Sequence, residues 1–279
     1  MPLNRACLDK SYPAATTTVT REAIQNYARA CNDANPRYFD PNIADGIIAP
    51  PMFAVVVSWI PVISVLTDPD LHADLLRLLH TAHEMEFLAP IRPGDQISGT
   101  ARIAAIAPAL GGESITLELS AIDQSARPVN RARFTALIRG RRETAESRNA
   151  AEAEPQPSPL FTVQQTIDRD QTSRYAEASG DRNPIHVDEN VAKMVGLPGI
   201  IVHGLCTMAF ASRAIIDTVC ASDPTKLRHL SLRFARPVFP GDTLTTAIAC
   251  GAGPGDYSFT TANAAGQIVL RDGVATIAT

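Results

Sequence analysis

The sequence predicts an α+β fold made of two tandem copies of one plan, each a long apolar helix wrapped by an antiparallel sheet. Tyr27 to Asp40 (YARACNDANPRYFD) aligns without gaps on Tyr175 to Asp188 (YAEASGDRNPIHVD) at an offset of 175 − 27 = 148 residues, and Asp33, Asn35 and Pro36 are among the identities. Phe87 to Asp95 (FLAPIRPGD) repeats as Phe234 to Asp242 (FARPVFPGD) at 234 − 87 = 147 residues. Self-similarity at this period marks a duplicated domain, because solenoid repeats are much shorter. The third observation is the order of elements in the second copy, an apolar helical stretch followed by alternating, strand-like runs.

Along the chain, Met1 to Val19 mixes Arg5, Asp9, Lys10 and Pro13 with short apolar stretches and offers no signal-peptide core. Ile47 to Leu66 is uncharged and about as long as a membrane span, yet it holds Pro50, Pro51 and Pro61 and stands where the second copy has its central helix. A buried core helix is expected there. Arg141 to Pro159 is charged and then rich in Ala, Glu and Pro, a composition that stays extended. The expected domains are 1–142 and 160–279, with a linker over 143–159.

In the second copy a short helix is expected over Thr172 to Ala178, opened by Asp170 and Thr172 and stopped by Gly180. A brief helix follows over Asn190 to Val195, ending at Gly196. Gly204 to Val219 then reads as the central helix, with Leu205, Met208, Ala209, Ser212, Ile215, Ile216 and Val219 at helical spacing. Strands are expected around Leu230, Leu232 and Phe234, over Thr243 to Cys250, over Tyr257 to Thr261 and over Ile268 to Ile277. Pro93-Gly-Asp95, Pro240-Gly-Asp242 and Gly251 to Asp256 read as turns; the last lacks the GxGxxG spacing of a dinucleotide cradle.

Length and charge exclude several classes. The 279 residues suffice for one large or two modest domains, each able to bury a core. A net charge of −4, with no basic cluster interleaved with aromatics, argues against nucleic-acid binding. Cys7, Cys31, Cys206, Cys220 and Cys250 are odd in number and lack CxxC spacing, which suits free thiols in a reducing cytoplasm and makes zinc binding by them improbable. His80 and His83 lack the Glu and third ligand of a metal site and read as solvated or core-edge residues.

The chemistry concentrates between Tyr175 and His186. Gly180 tolerates unusual backbone angles and Pro184 holds Asn183 out of the helical region, so Asp181, Asn183 and His186 are presented by a stiff loop. A carboxylate and an imidazole held close can grip one water and exchange its proton at neutral pH. Alone, the six residues are equally a capping Asp, an Asn-Pro turn and a surface His.

This loop resembles the signature of the MaoC-like, type 2 (R-specific) enoyl-CoA hydratases: Tyr, a small residue before Gly, then Asp-x-Asn-Pro-x-His. Gly199 to Phe210 (GIIVHGLCTMAF) resembles the start of that family's central helix, and Phe234 to Asp242 its following strand and turn. The resemblance implies a double hot-dog fold, Asp181 and His186 as a catalytic dyad, Asn183 as their helper, and reversible syn hydration of a trans-2-enoyl-CoA to the (3R)-3-hydroxyacyl-CoA. It implies no cofactor beyond the coenzyme A carrier and no metal. Which of Asp181 and His186 is acid and which is base stays open.

The first copy departs from the signature. Tyr38 replaces the His, Asn32 the Gly, and Pro50-Pro51 stands for His203-Gly204. It is expected to have lost catalysis, with Asp33 and Asn35 as turn and cap residues, and by resemblance to contour the acyl pocket. Gly204 would open the central helix, where its N–H can meet the thioester oxygen as negative charge grows; a glycine selected for helix packing is the alternative. Ser179, His203, Arg233 and Arg236 are candidates for contacting substrate or coenzyme A. Lys226 and Arg228 add positive charge nearby, although an exposed strand face is the commoner explanation of such residues. A hot-dog thioesterase, a dehydratase acting on acyl carrier protein or on branched or dicarboxylic enoyl-CoA, and a noncatalytic acyl-binding module are the rivals. No membrane partner is expected, and a homodimer of such protomers is a further expectation.

Overall fold

The computed structural model describes residues 2–140 and 158–278. Alternating burial in the strands puts one face of each inward, and the first copy's strands wrap a helix that is apolar on nearly every side. In chain order the first copy holds β1 (Ser11–Thr18), α1 (Arg21–Ala30), α2 (Ala54–Leu66), β2 (Leu78–Phe87), β3 (Gln96–Ala109), β4 (Gly112–Ile122) and β5 (Pro128–Arg139). The second holds β6 (Phe161–Thr166), α3 (Gln171–Ser179), α4 (Glu189–Met194), α5 (Gly204–Thr218), β7 (Leu227–Phe234), β8 (Thr243–Cys250), β9 (Asp256–Ala262) and β10 (Ile268–Ile277). The strands form one ten-stranded sheet in the order β1-β3-β4-β5-β2-β7-β10-β9-β8-β6. That order is a palindrome, so the duplication seen in sequence is also a duplication of topology, and the fold is a double hot-dog.

The seam is antiparallel pairing of β2 with β7, with His83 opposite Leu232 and Met85 opposite Leu230. The copies also meet through their helices, where the equivalent Tyr27 of α1 and Tyr175 of α3 bring their hydroxyls 3.4 Å apart. Each copy therefore lends a surface to the other, and this positions the site.

The two central helices are α2 and α5. Pro61 sits inside α2. It has no N–H to give the Val57 carbonyl one turn earlier. Gly99 of β3 packs against that carbonyl, where a β-carbon would stand 2.6 Å from the oxygen. The helix is shorter than Ile47 to Leu66 suggested: Ala49 donates its N–H to Ile91, Pro51–Phe53 form a single 3-10 turn, and α2 begins at Ala54. Pro50 and Pro51 cause this, since a residue before proline avoids the helical region. Among the described residues no helix is long and apolar enough to cross a membrane.

The expected helices of the second copy move by a residue or so at their ends, and β8 and β10 keep their expected bounds. β6 was not anticipated. The linker reading falls chiefly on residues 141–157, outside the described residues. His83 corrects an expectation, because it is buried rather than solvated or at the core edge, whereas partly buried His80 keeps its core-edge place. His83 is 3% exposed, and the Nε2 of His80 is fully covered. Residues three apart on a regular strand face opposite ways. A bulge in the β2–β5 pairing between His80 and Ala82 resets the alternation, and the two rings pack with centroids 5.2 Å apart.

Candidate active site

Gly180 ends α3 in the left-handed region, at φ +81°, with its N–H on the Ala176 carbonyl at 3.1 Å. A β-carbon there would stand 3.3 Å from the Trp59 ring of α2, so the loop rests on the other copy's helix. Ser179 braces the next step, donating its hydroxyl to Tyr175 at 2.7 Å and accepting the Asp181 N–H at 3.2 Å. Asp181 accepts the Asn183 N–H through Oδ1 at 3.1 Å, and Asn183 accepts the Ile185 N–H through Oδ1 at 3.4 Å. These turns consume one carboxylate oxygen and set His186 at the end of the short 3-10 turn Pro184–His186.

Two backbone carbonyls then define the imidazoles. His186 Nδ1 lies 2.8 Å from the Ile201 oxygen, and His203 Nε2 lies 2.9 Å from the Asp181 oxygen. A carbonyl only accepts, so each of these nitrogens carries the proton, and His186 Nε2 is left with a lone pair. The two rings stack with centroids 3.8 Å apart at 28°. Asp181, His186 and His203 each offer an atom within 4.8 Å of the others. The same three atoms could ligate a cation, although each histidine already spends one nitrogen on a carbonyl.

Burial sets the charges. It pushes the Asp181 carboxyl up to about 6, against the opposing Asn183 N–H. It pushes His186 down to about 4, against the Ile201 hydrogen bond, and His203 down to about 2, helped by neighbouring His186. At pH 7 the pocket holds one carboxylate and two neutral imidazoles.

Gly204 is the first residue of α5, and His203 before it makes no side-chain cap. The N–H groups of the first turn have no carbonyl a turn earlier, so they stay open to an acceptor. The missing side chain has a packing cause as well: a β-carbon on Gly204 would meet the Phe234 ring at 3.1 Å.

The first copy keeps the turn without the histidine. Asp33 accepts the Asn35 N–H at 3.0 Å, and Asn35 caps Arg37 at 3.0 Å while spending its amide on the Ser222 carbonyl at 2.8 Å. Burial raises the Asp33 carboxyl to about 6, as in its sibling. Fully buried Tyr38 fills the place of His186, and Pro51 has no N–H to offer an oxyanion.

Of the sequence candidates, the structure brings Asp181, His186 and His203 together on the loop that carries Asn183, ahead of Gly204. Ser179 and His203 are 5% and 1% exposed; Ser179 braces the loop through its hydroxyl, and His203 stands in the Asp181–His186 cluster. Arg233 is exposed on β7 beside inward Leu232, and Arg236 is exposed and donates to the Ile268 carbonyl at 3.0 Å. Sequence reasoning missed Trp59, Phe234 as the neighbour of Gly204, and the Ile201 carbonyl. The last has no side-chain signature, and Trp59 comes from the other copy.

Residues 150–268 match the family model described as MaoC like domain, and residues 10–131 match that described as FAS1-like, dehydratase domain region. A 92-residue stretch is 47% identical to "Enoyl-CoA hydratase 2, peroxisomal" of Arabidopsis thaliana, covering 33% of this chain and 29% of that protein. Over 208 residues the chain is 30% identical to "3-hydroxyacyl-thioester dehydratase Y" of Mycobacterium tuberculosis, covering 70% of this chain and 71% of the relative. The crystal structure of a MaoC-like dehydratase from Phytophthora capsici superposes with a TM-score of 0.86 at 22% identity, over 100% of this chain and 98% of the other, a likeness of fold. The match to the plant relative thus spans less than a third of that protein.

Proposed function

The chain belongs to the MaoC-like dehydratase family, and from that premise we propose that it adds water reversibly to a trans-2-enoyl-CoA, giving the (3R)-3-hydroxyacyl-CoA. It is a hydro-lyase of the hydratase and dehydratase class. The observation that carries the finer reading is the gathering of an Asp181 carboxylate oxygen and a His186 ring nitrogen within 4.8 Å, while the Ile201 carbonyl engages Nδ1 and leaves Nε2 as the ring's free acceptor. Both groups accept hydrogen bonds, so together they grip the two protons of one water and aim its oxygen.

As the water oxygen bonds to C3, one O–H bond breaks and the proton passes to the stronger base. Asp181, near 6 against about 4 for His186, takes it. The electron pair of the C2–C3 double bond moves toward the thioester oxygen, where the Gly204 N–H stabilises the growing charge. The carboxyl then returns its proton to C2, and His186 holds the hydroxyl that remains on C3. One water thus supplies both added groups on one face. Asn183 shares the loop and steadies the same water.

A narrow, mostly apolar crevice of about 10 Å³ lies between α2 and the first copy's sheet, beside Val55, Trp59, Met85, Phe134 and Leu205, the last following Gly204 directly; the acyl chain is proposed to enter by parting these side chains. Four of the five cysteines are buried and all are free, which fits a reducing compartment such as the cytoplasm.

The test is disappearance of the enoyl chromophore with a thiol trap present, followed by chiral analysis. Loss of the double bond with no thiol and an R product supports hydration. Thiol release would indicate a thioesterase, and much faster turnover of a substrate carried on acyl carrier protein would move the assignment there. The pH profile is also fixed by the site: kcat/KM is expected to fall about tenfold per unit below pH 6 as Asp181 protonates, while His186 stays neutral to about 4. A profile flat from pH 7 to 5 would contradict that ionisation.

A further inference from the structure

The crevice between α2 and the first copy's sheet, the proposed path of the acyl chain, is not uniformly apolar. Among Val55, Val62, Met85 and Phe134 it also meets Ser58 of α2 and His83 of β2. These two are 4% and 3% exposed. Among the described residues, neither the Ser58 hydroxyl nor either ring nitrogen of His83 has a hydrogen-bond partner. A buried polar atom left unpaired costs about 1–3 kcal/mol, and Val or Leu would fill such a wall more cheaply. The fold nevertheless spends the β2 bulge on turning His83 inward beside His80.

We propose that this pocket selects enoyl-CoA substrates whose acyl chain carries a neutral oxygen, a hydroxyl or keto group, beyond the reacting double bond, and that His83 and Ser58 hydrogen-bond it. The proposal rests on the hydratase reading above. A neutral imidazole presents one donor and one acceptor, and a serine hydroxyl presents both, so the pair can serve either oxygen type. Burial holds the His83 ring neutral, with its titration pushed down to about 3. No Lys or Arg lines the cavity, so a terminal carboxylate would be buried without a counter-charge. The chemistry therefore favours an uncharged oxygen over a dicarboxylic chain. The position is right for a substrate tail, because Leu205 at the cavity wall follows Gly204, and Trp59 at the same wall supports Gly180 of the dyad loop.

The test uses the full chain and sets of trans-2-enoyl-CoAs matched in length: unsubstituted, hydroxylated at successive positions, and ending in a carboxylate. The expected result is at least one hydroxylated chain with kcat/KM about tenfold or more above its unsubstituted match, and a carboxylate chain below both. In His83→Phe and in Ser58→Ala the hydroxyl preference should shrink toward one. The wild-type preference and the small serine change keep the test decisive if the His83 variant folds poorly. Equal rates on hydroxylated and plain chains at every position, the behaviour of a pocket that merely traps water, would overturn the proposal, as would a preference that survives both substitutions. Turnover of plain enoyl-CoA without that preference defeats this inference alone, whereas no turnover of any enoyl thioester defeats the hydratase reading and this inference with it.

Discussion

Asp181→Asn is expected to cut turnover by about a thousandfold or more and, at the same time, to make the protein more stable at pH 7. The two effects share one cause. Burial raises the folded carboxyl to about 6 from an ordinary value near 4. Between those values the folded chain keeps a proton that the unfolded chain has released, so stability falls as pH rises through the window and the full cost is present above pH 6. That cost is roughly 2–3 kcal/mol. Asparagine removes the charge and keeps an oxygen for the Asn183 N–H. Denaturant midpoints for both proteins at pH 7, beside their turnover, check this. A variant that is inactive and also destabilised would assign the buried carboxylate a structural role.

His186→Ala is expected to lose about a hundredfold to ten-thousandfold in kcat, because the water then has one acceptor and swings out of line with C3. If the carboxylate and the imidazole work as a unit, the Asp181→Asn, His186→Ala double variant should be no slower than the worse single one. Multiplying penalties would mean two independent contributions. The stability signature has the opposite sign from that of Asp181. With His186 pushed down to about 4 in the folded state, the unfolded chain binds more protons between pH 4 and 6.5, and stability rises with pH across that window. The alanine variant should lose that slope.

The duplication and the loop were legible because they are local. An Asp-x-Asn-Pro turn is made by residues two apart bonding one another, and the same bonds recur at Asp33 and Asp181. Strand bounds were readable where Thr alternates with apolar residues, as in β8. Features that depend on a second element were not. Proline at 50 and 51 visibly threatens a helix, but where α2 starts is set by the Ala49 bond to Ile91. The burial of His83 depends on a bulge in pairing with β5, which no spacing in β2 reveals. The tautomer of His186 depends on a carbonyl at Ile201, and every residue type carries one.

Asp33 and Asp181 provide a matched pair for the central claim, that one copy performs the chemistry while the other shapes the cavity. Both sit in the same turn, both accept the N–H two residues on, and both have a carboxyl raised to about 6. The decisive measurement is enoyl-CoA hydration by Asp33→Asn and Asp181→Asn side by side. The account predicts near-native turnover for the first and almost none for the second. Loss in both, or retention in the second, would contradict it.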